Sequence, residues 1–120
     1  DVVMHPSEIA LLKGRRLTGV LCVVFDVLRA TSSILTGLAH GVAEVVPVET
    51  IEEARAAAAA RAGAILGGER NGNRIEGFDL GNSPSEYCQS AGAVVVTTTT
   101  NGTVALRACS ALESCACPCT

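Results

Sequence analysis

Short, nearly continuous apolar runs alternate along this chain with stretches whose apolar residues recur at helical spacing. Leu21 to Asp26 is such a run, and an unbroken apolar run is what a strand buried on both faces of a sheet requires. Val2, Val3 and Met4 predict a short first strand ended by Pro6; Glu44 to Val48, Ile65–Leu66 and Val94 to Thr97 predict three more. Between them, Thr31 to His40 reads as a helix with Ile34, Leu35, Leu38 and Ala39 on its apolar face and Gly41 as its stop. Thr50-Ile51-Glu52-Glu53 is a capping box that opens an Ala-rich helix to about Ala62, with Gly63 beyond it. Asn71-Gly72 signals a tight turn. Ser83-Pro84-Ser85-Glu86 forms a second capping box, with Pro84 suited to the first helical position. Val104, Ala105, Ala108, Cys109 and Leu112 mark one face of a last helix starting near Val104. Strands alternating with helices predict an α/β layer fold with a largely parallel sheet.

Composition narrows this picture. Hydrophobic residues make up 48% of the 120 positions and aromatics 2%, so the core must be built from Val, Leu, Ile and Ala. The length suits one domain or part of one. A net charge of −3 without a basic stripe argues against nucleic acid or an acidic membrane as partner. The longest apolar stretch, Val20 to Leu28, is too short to span a bilayer and is broken by Asp26. No secretory signal is visible and the chain begins without Met, which predicts a cytoplasmic protein whose start is missing. Cys22 and Cys109 occupy positions where cysteine acts as a small hydrophobe. Cys115, Cys117 and Cys119 form a tail that lacks the spacing of a zinc site and reads as aberrant rather than metal-binding.

Chemistry is expected beyond the carboxyl ends of the strands, where open α/β sheets bind ligands. Three polar clusters fall there. Asp26 and Arg29 follow the Leu21 run; Glu69 and Arg70 follow Ile65–Leu66; Thr97 to Thr100 lead into Asn101-Gly102-Thr103 and the last helix. A strand, a small polar turn and a helix N-terminus suit a phosphate, because the first N–H groups are free and the helix dipole favours an anion. Hydroxyls of Thr99, Thr100 and Thr103 could add hydrogen bonds. Asp79, in Gly77 to Ser83, supplies a third acid. Three acids and two arginines suit Mg²⁺ and a phosphate, since hard oxygens hold the metal and guanidinium forks grip the anion. Each residue also has a plain reading: Asp26 and Ser83 as helix caps, Arg29 as a solvated residue, Glu69 and Arg70 as an exposed pair flanking a hairpin, Asp79 as a loop clamp. His5 and His40 have no visible partner.

The order and wording of the clusters are more specific than any one of them. Asp26-Val27-Leu28-Arg29-Ala30-Thr31, Gly67-Gly68-Glu69-Arg70, Gly77-Phe78-Asp79-Leu80-Gly81-Asn82-Ser83-Pro84 and Thr98-Thr99-Thr100-Asn101-Gly102-Thr103, with a leading Pro6-Ser7-Glu8, resemble the 2-phosphosulfolactate phosphatase (ComB-like) family. The resemblance covers about Val2 to Ala108. It implies a three-layer α/β/α fold with a largely parallel or mixed sheet, incomplete in this chain. Residues 1–112 would be the N-terminal half of the family domain, and 113–120 an aberrant cysteine-rich tail where the chain departs from the family. It implies a Mg²⁺-dependent phosphatase that converts 2-phosphosulfolactate, or a similar small phosphorylated acid, to sulfolactate and phosphate in a coenzyme M type pathway. On that reading Asp26, Glu69 and Asp79 hold the metal, and Asp26, Arg29 and Glu69 carry the catalysis. Arg29, Arg70, Asn82, Thr99, Thr100, Asn101, Gly102 and Thr103 bind the phosphorylated substrate. Membrane and nucleic acid are excluded as partners and a homo-oligomer is left open. The competing expectation is a non-catalytic module for phosphorylated metabolites, or an inactive truncated fragment.

Overall fold

Three parallel strands form the middle of the fold in a computed structural model that describes residues 2–12 and 21–111. They are β1 (Glu44–Pro47), β2 (Ile65–Arg70) and β4 (Val94–Thr98); the two-residue β3 (Asn73–Arg74) pairs antiparallel with β2. The sheet order is β1-β4-β2-β3, with β4 parallel to both neighbours. Register explains why these strands are apolar throughout. Val45, Val95 and Ile65 are aligned and help form one core cluster with Tyr87 and Val42; Val46, Val96 and Leu66 are aligned and face the other, with Ala54, Ile75 and Phe78. α1 (Ala30–Ala39) and the single turn α3 (Pro84–Tyr87) pack together over the first face. α2 (Ile51–Ala59) packs over β2 and β4, and α4 (Gly102–Ser110) lies against β1 and α1. The chain is thus α/β with a mixed sheet between helices, as expected.

Local signals acted largely as read. Thr50 Oγ1 accepts from Glu53 N–H at 3.0 Å, while the Glu53 carboxylate returns to the N–H of Glu49 rather than of Thr50. Asn71 and Gly72 take φ of 53° and 80°, and the hairpin between β2 and β3 turns on them. Both glycines that open Gly67-Gly68-Glu69-Arg70 are dictated by packing. A Cβ on Gly67 would lie 2.8 Å from the Tyr87 hydroxyl; one on Gly68, at φ +139°, would lie 2.0 Å from the Thr98 carbonyl oxygen.

Five expectations need correction. Val2 to Met4 is not a strand: the Glu8 carboxylate draws in the N–H groups of Met4 and His5, each at 2.9 Å, and a 3₁₀ segment (Pro6–Leu12) follows. Leu21 to Asp26 carries no regular secondary structure and joins no strand of the sheet among the described residues. The apolar face read for α1 is not its buried face. Ala30, Ser33 and Gly37 are buried, because Gly37 lets Tyr87 and Val42 approach, whereas Leu35 and Leu38 stay exposed. The box at Ser83 does not form; Ser83 makes no capping bond and Glu86 turns to the N–H of Gly81 and to Arg74. The α2 helix also stops at Ala59, before Ala62. Leu112 and the tail cysteines lie outside the described residues.

Candidate active site

At the carboxyl end of β4 the chain turns from Thr98 through Thr99 and Thr100 into α4. Asp26 reaches this turn from the loop before α1. That loop is closed in both directions: Asp26 N–H donates to Thr31 Oγ1 and Thr31 N–H donates to the Asp26 carbonyl, each at 3.0 Å. The Asp26 carboxylate then lies against the first residue of α4. A Cβ placed on Gly102 would meet Asp26 Oδ2 at 2.6 Å, Ala30 Cβ at 2.4 Å and Thr99 Oγ1 at 3.4 Å, so only glycine fits there. The half-buried carboxylate makes no hydrogen bond among the described residues, and neither do the N–H groups of Asn101 and Gly102. Arg29, exposed at the N-terminal edge of α1, also has an unpartnered side chain among them.

The threonine run behaves otherwise, for every one of its hydroxyls is held by the fold. Thr97 Oγ1 lies 2.9 Å from the buried Tyr87 hydroxyl. Thr98 Oγ1 accepts from Arg70 at 2.8 Å and donates to the Glu49 carbonyl at 3.1 Å. Thr99 and Thr103 are locked reciprocally: Thr99 Oγ1 accepts the Thr103 N–H at 3.0 Å, and Thr103 Oγ1 accepts the Thr99 N–H at 2.9 Å. Thr100 gives its N–H and its hydroxyl to the Glu69 carboxylate, at 2.7 and 3.0 Å. The sequence assigned no role to Thr97; its signal is Tyr87, whose buried hydroxyl needs a partner.

Glu69 is therefore a clamp as well as a candidate ligand. Besides Thr100 it accepts the Gly72 N–H at 2.7 Å, tying the β2–β3 hairpin to the β4–α4 turn. Burial alone would raise its carboxyl pKa, but the hydrogen bonds from Thr100 and Gly72, with the Arg70 charge, outweigh burial and hold it below the ordinary value. One oxygen, Oε1, takes a single hydrogen bond and keeps a lone pair. Arg70 donates to the carbonyls of Glu49 and Glu69 and to Thr98, so its guanidinium staples three segments together. Asn82 is buried beside α1, where its carbonyl accepts from Ser33 Oγ at 3.0 Å. Its side-chain amide has no partner among the described residues.

Asp79 stands apart from this group. Its Oδ2 accepts the Leu66 N–H at 2.8 Å, near the amino end of β2, and it lines an open cleft of about 510 Å³ with Arg74, Leu80 and Glu86. Among the described residues no three His, Cys, Asp or Glu side chains gather as a metal cage. Asp26, Arg29, Glu69, Asn82 and the 99–103 turn thus occupy the carboxyl end of the sheet, and Asp79 does not. No helix of the described residues is long and apolar enough to cross a membrane. His40 Nδ1 lies 2.8 Å from the Thr36 carbonyl and closes the end of α1.

An unclaimed carboxylate beside the open N-terminus of a helix lies at the carboxyl edge of a parallel sheet, the edge where open α/β proteins bind their ligands. The comparisons with known proteins narrow that class. A family model described as 2-phosphosulpholactate phosphatase matches residues 8–117, and the chain belongs to that family. A protein of Carboxydothermus hydrogenoformans named probable 2-phosphosulfolactate phosphatase is 42% identical over 107 residues, which is 89% of this chain and 43% of that protein. Proteins of the same name from Thermotoga petrophila and Clostridium acetobutylicum are each 48% identical, over 86% and 89% of this chain and 42% and 46% of their own lengths. The chain spans less than half the length of these curated relatives.

Proposed function

We propose that this chain carries part of a Mg²⁺-dependent cytoplasmic phosphatase that hydrolyses 2-phosphosulfolactate, or a similar small phosphorylated acid, to the free hydroxy acid and phosphate, in a pathway of the coenzyme M type. The observation that carries the reading is the uncommitted Asp26 carboxylate set against the free N–H groups at the start of α4. A carboxylate and a phosphoryl group can share that N-terminus only with a cation between them. Mg²⁺ is commonly bound by one or two carboxylates, with water and substrate oxygens completing its shell. Asp26 suits that role, Glu69 offers its remaining lone pair, and Asp79 enters only through movement of its segment. When bound, the ion neutralises charge on the phosphoryl oxygens.

The chain's own groups do the rest. N–H groups of Asn101 and Gly102 receive phosphoryl oxygens, and Arg29 forks onto the phosphate or the acid group of the substrate. Asn82 supplies a further amide. Thr99, Thr100, Thr103 and Arg70 act mainly by holding the turn that presents these donors. Water adds to phosphorus as the ester P–O bond breaks, and the proton the water gives up is returned to the departing alkoxide. A phosphoaspartyl route through Asp26 ranks lower, because the Asp-x-Asp pattern it uses has Leu28 at its second position, 90% exposed here.

The test is Mg²⁺-dependent phosphate release by the complete-length protein. Release undiminished by Asp26→Asn and Arg29→Ala would refute the reading. The prior commitment of the Glu69 carboxylate to Thr100 and Gly72 favours a second reading, a module that binds phosphorylated acids without cleaving them. Calorimetry followed by phosphate assay separates the two, since such a module returns its ligand intact.

A further inference from the structure

A carboxylate that takes no hydrogen bond among the described residues is not held in place by contacts of its own. The position of the Asp26 side chain must therefore come from the main chain that carries it. Packing supports that main chain little, since Val27 and Leu28, the next two residues, are 66 and 90% exposed among the described residues. Thr31 holds it instead. Its Oγ1 accepts the Asp26 N–H and its N–H donates to the Asp26 carbonyl, so the peptide groups on both sides of the Asp26 Cα close onto one residue. A second hydroxyl braces the same loop, for Ser32 Oγ donates to the Val27 carbonyl at 2.8 Å. With both flanking peptides fixed, only the side-chain torsions of Asp26 remain free. The wall opposite narrows those. Asp26 Oδ2 and Ala30 Cβ both crowd the point where a Cβ on Gly102 would stand, at 2.6 and 2.4 Å.

We infer that Thr31 is a positioning residue: it sets the Asp26 carboxylate against the N-terminus of α4, and it acts on the cation and the phosphoryl group only through Asp26. Helix capping does not account for its side chain. A capping hydroxyl accepts an N–H from the first turn of its own helix. Thr31 instead lies inside that turn of α1 and accepts from a residue five positions earlier, outside the helix. The residue at the capping position, Arg29, makes no side-chain cap bond. The hydroxyl is thus spent on the loop that presents Asp26 and not on the helix that follows it. Groups that orient a metal ligand in this way affect the metal nearly as strongly as the ligand does. The role rests on the phosphatase reading, and it deepens that reading by naming what keeps the uncommitted carboxylate in register.

The experiment is a double-mutant cycle in the complete-length protein, made of Asp26→Asn, Thr31→Val and the two together. Valine keeps the branched shape of threonine and removes the acceptor. Two quantities are read per folded molecule: kcat for phosphate release from 2-phosphosulfolactate, and Mg²⁺ affinity by calorimetry without substrate. Thr31→Val should lower kcat by about tenfold or more with KM within about threefold, since a misplacement of about 1 Å can cost on the order of 100-fold. Mg²⁺ binding should weaken by about tenfold, the lower end for a group that orients a ligand. Thr31→Ser keeps the oxygen and should recover both quantities to within about threefold of the parent. In the Asp26→Asn background, Thr31→Val should change neither by more than about twofold, because a residue that acts through Asp26 has nothing left to place. Equal losses in both backgrounds overturn the proposal and leave Thr31 a structural part alone. Loss of the fold in Thr31→Val and in Thr31→Ala overturns it likewise. Activity lost in Asp26→Asn and kept in Thr31→Val refutes this role alone, whereas activity kept in Asp26→Asn refutes the phosphatase reading and the role with it.

Discussion

The β4–α4 turn and the loop from Asp26 to Arg29 meet at one helix N-terminus, yet their side chains are used in opposite ways. In the turn, Thr97, Thr98, Thr99, Thr100 and Thr103 all hydrogen-bond within the fold. In the loop, main-chain bonds hold the shape while the Asp26 carboxylate and the Arg29 guanidinium remain unclaimed among the described residues. A group already saturated by the fold has little left for a ligand; a charged group held beside a helix dipole without a partner retains its full capacity. On the proposed function, the threonines present the site and the loop carries its chemistry.

The comparison can be broken at several points, beginning with the largest effect. Gly68→Ala would force a Cβ onto the Thr98 carbonyl at a positive φ, and should cost about 3 kcal/mol or more, leaving little native protein in urea titrations. Thr103→Val removes the reciprocal lock with Thr99 and orphans a buried N–H, so unfolding free energy should fall by about 1–3 kcal/mol. Tyr87→Phe strips the partner from Thr97 and should cost about 1 kcal/mol, with phosphate release unchanged within about twofold.

Glu69→Gln loses the clamp's contribution at neutral pH and converges with the parent under acid. The Glu69 carboxyl is held below its ordinary 4.5, so the ionised form favours the native state. That contribution is present above 4.5 and is lost as pH falls through the lowered value. A urea series across this range should show the parent losing stability more steeply than the glutamine variant. Parallel curves would remove Glu69 as the clamp.

Much of the frame was legible because it rests on local rules. The Thr50 cap, the Asn71-Gly72 turn and the apolar runs of β1, β2 and β4 each carry their reason within a few residues. What was not legible depended on distant neighbours. The buried side of α1 follows from Tyr87 arriving at Gly37, which no helical spacing of Leu35 and Leu38 reveals. Leu21 to Asp26 reads as a strand because its composition is that of one, while the described fold covers only one side of it. At the site, sequence order pointed to Asp26, Glu69 and the 99–103 turn, and the two carboxylates reach that turn at different points, Asp26 at Gly102 and Glu69 at Thr100. Asp79 was grouped with them by its motif, yet its segment runs beside β2 with Leu80 bridged to Gly67, which keeps the carboxylate at Leu66.

The central claim is that chemistry resides in the uncommitted Asp26 and not in the committed threonines. Its most direct test is Asp26→Asn in the complete-length protein, with Mg²⁺-dependent phosphate release and the unfolding midpoint measured on the same sample. The account predicts release reduced by about 100-fold or more, with a midpoint shifted by no more than a few degrees. Release that survives the substitution, or is lost only in step with the fold, would contradict it.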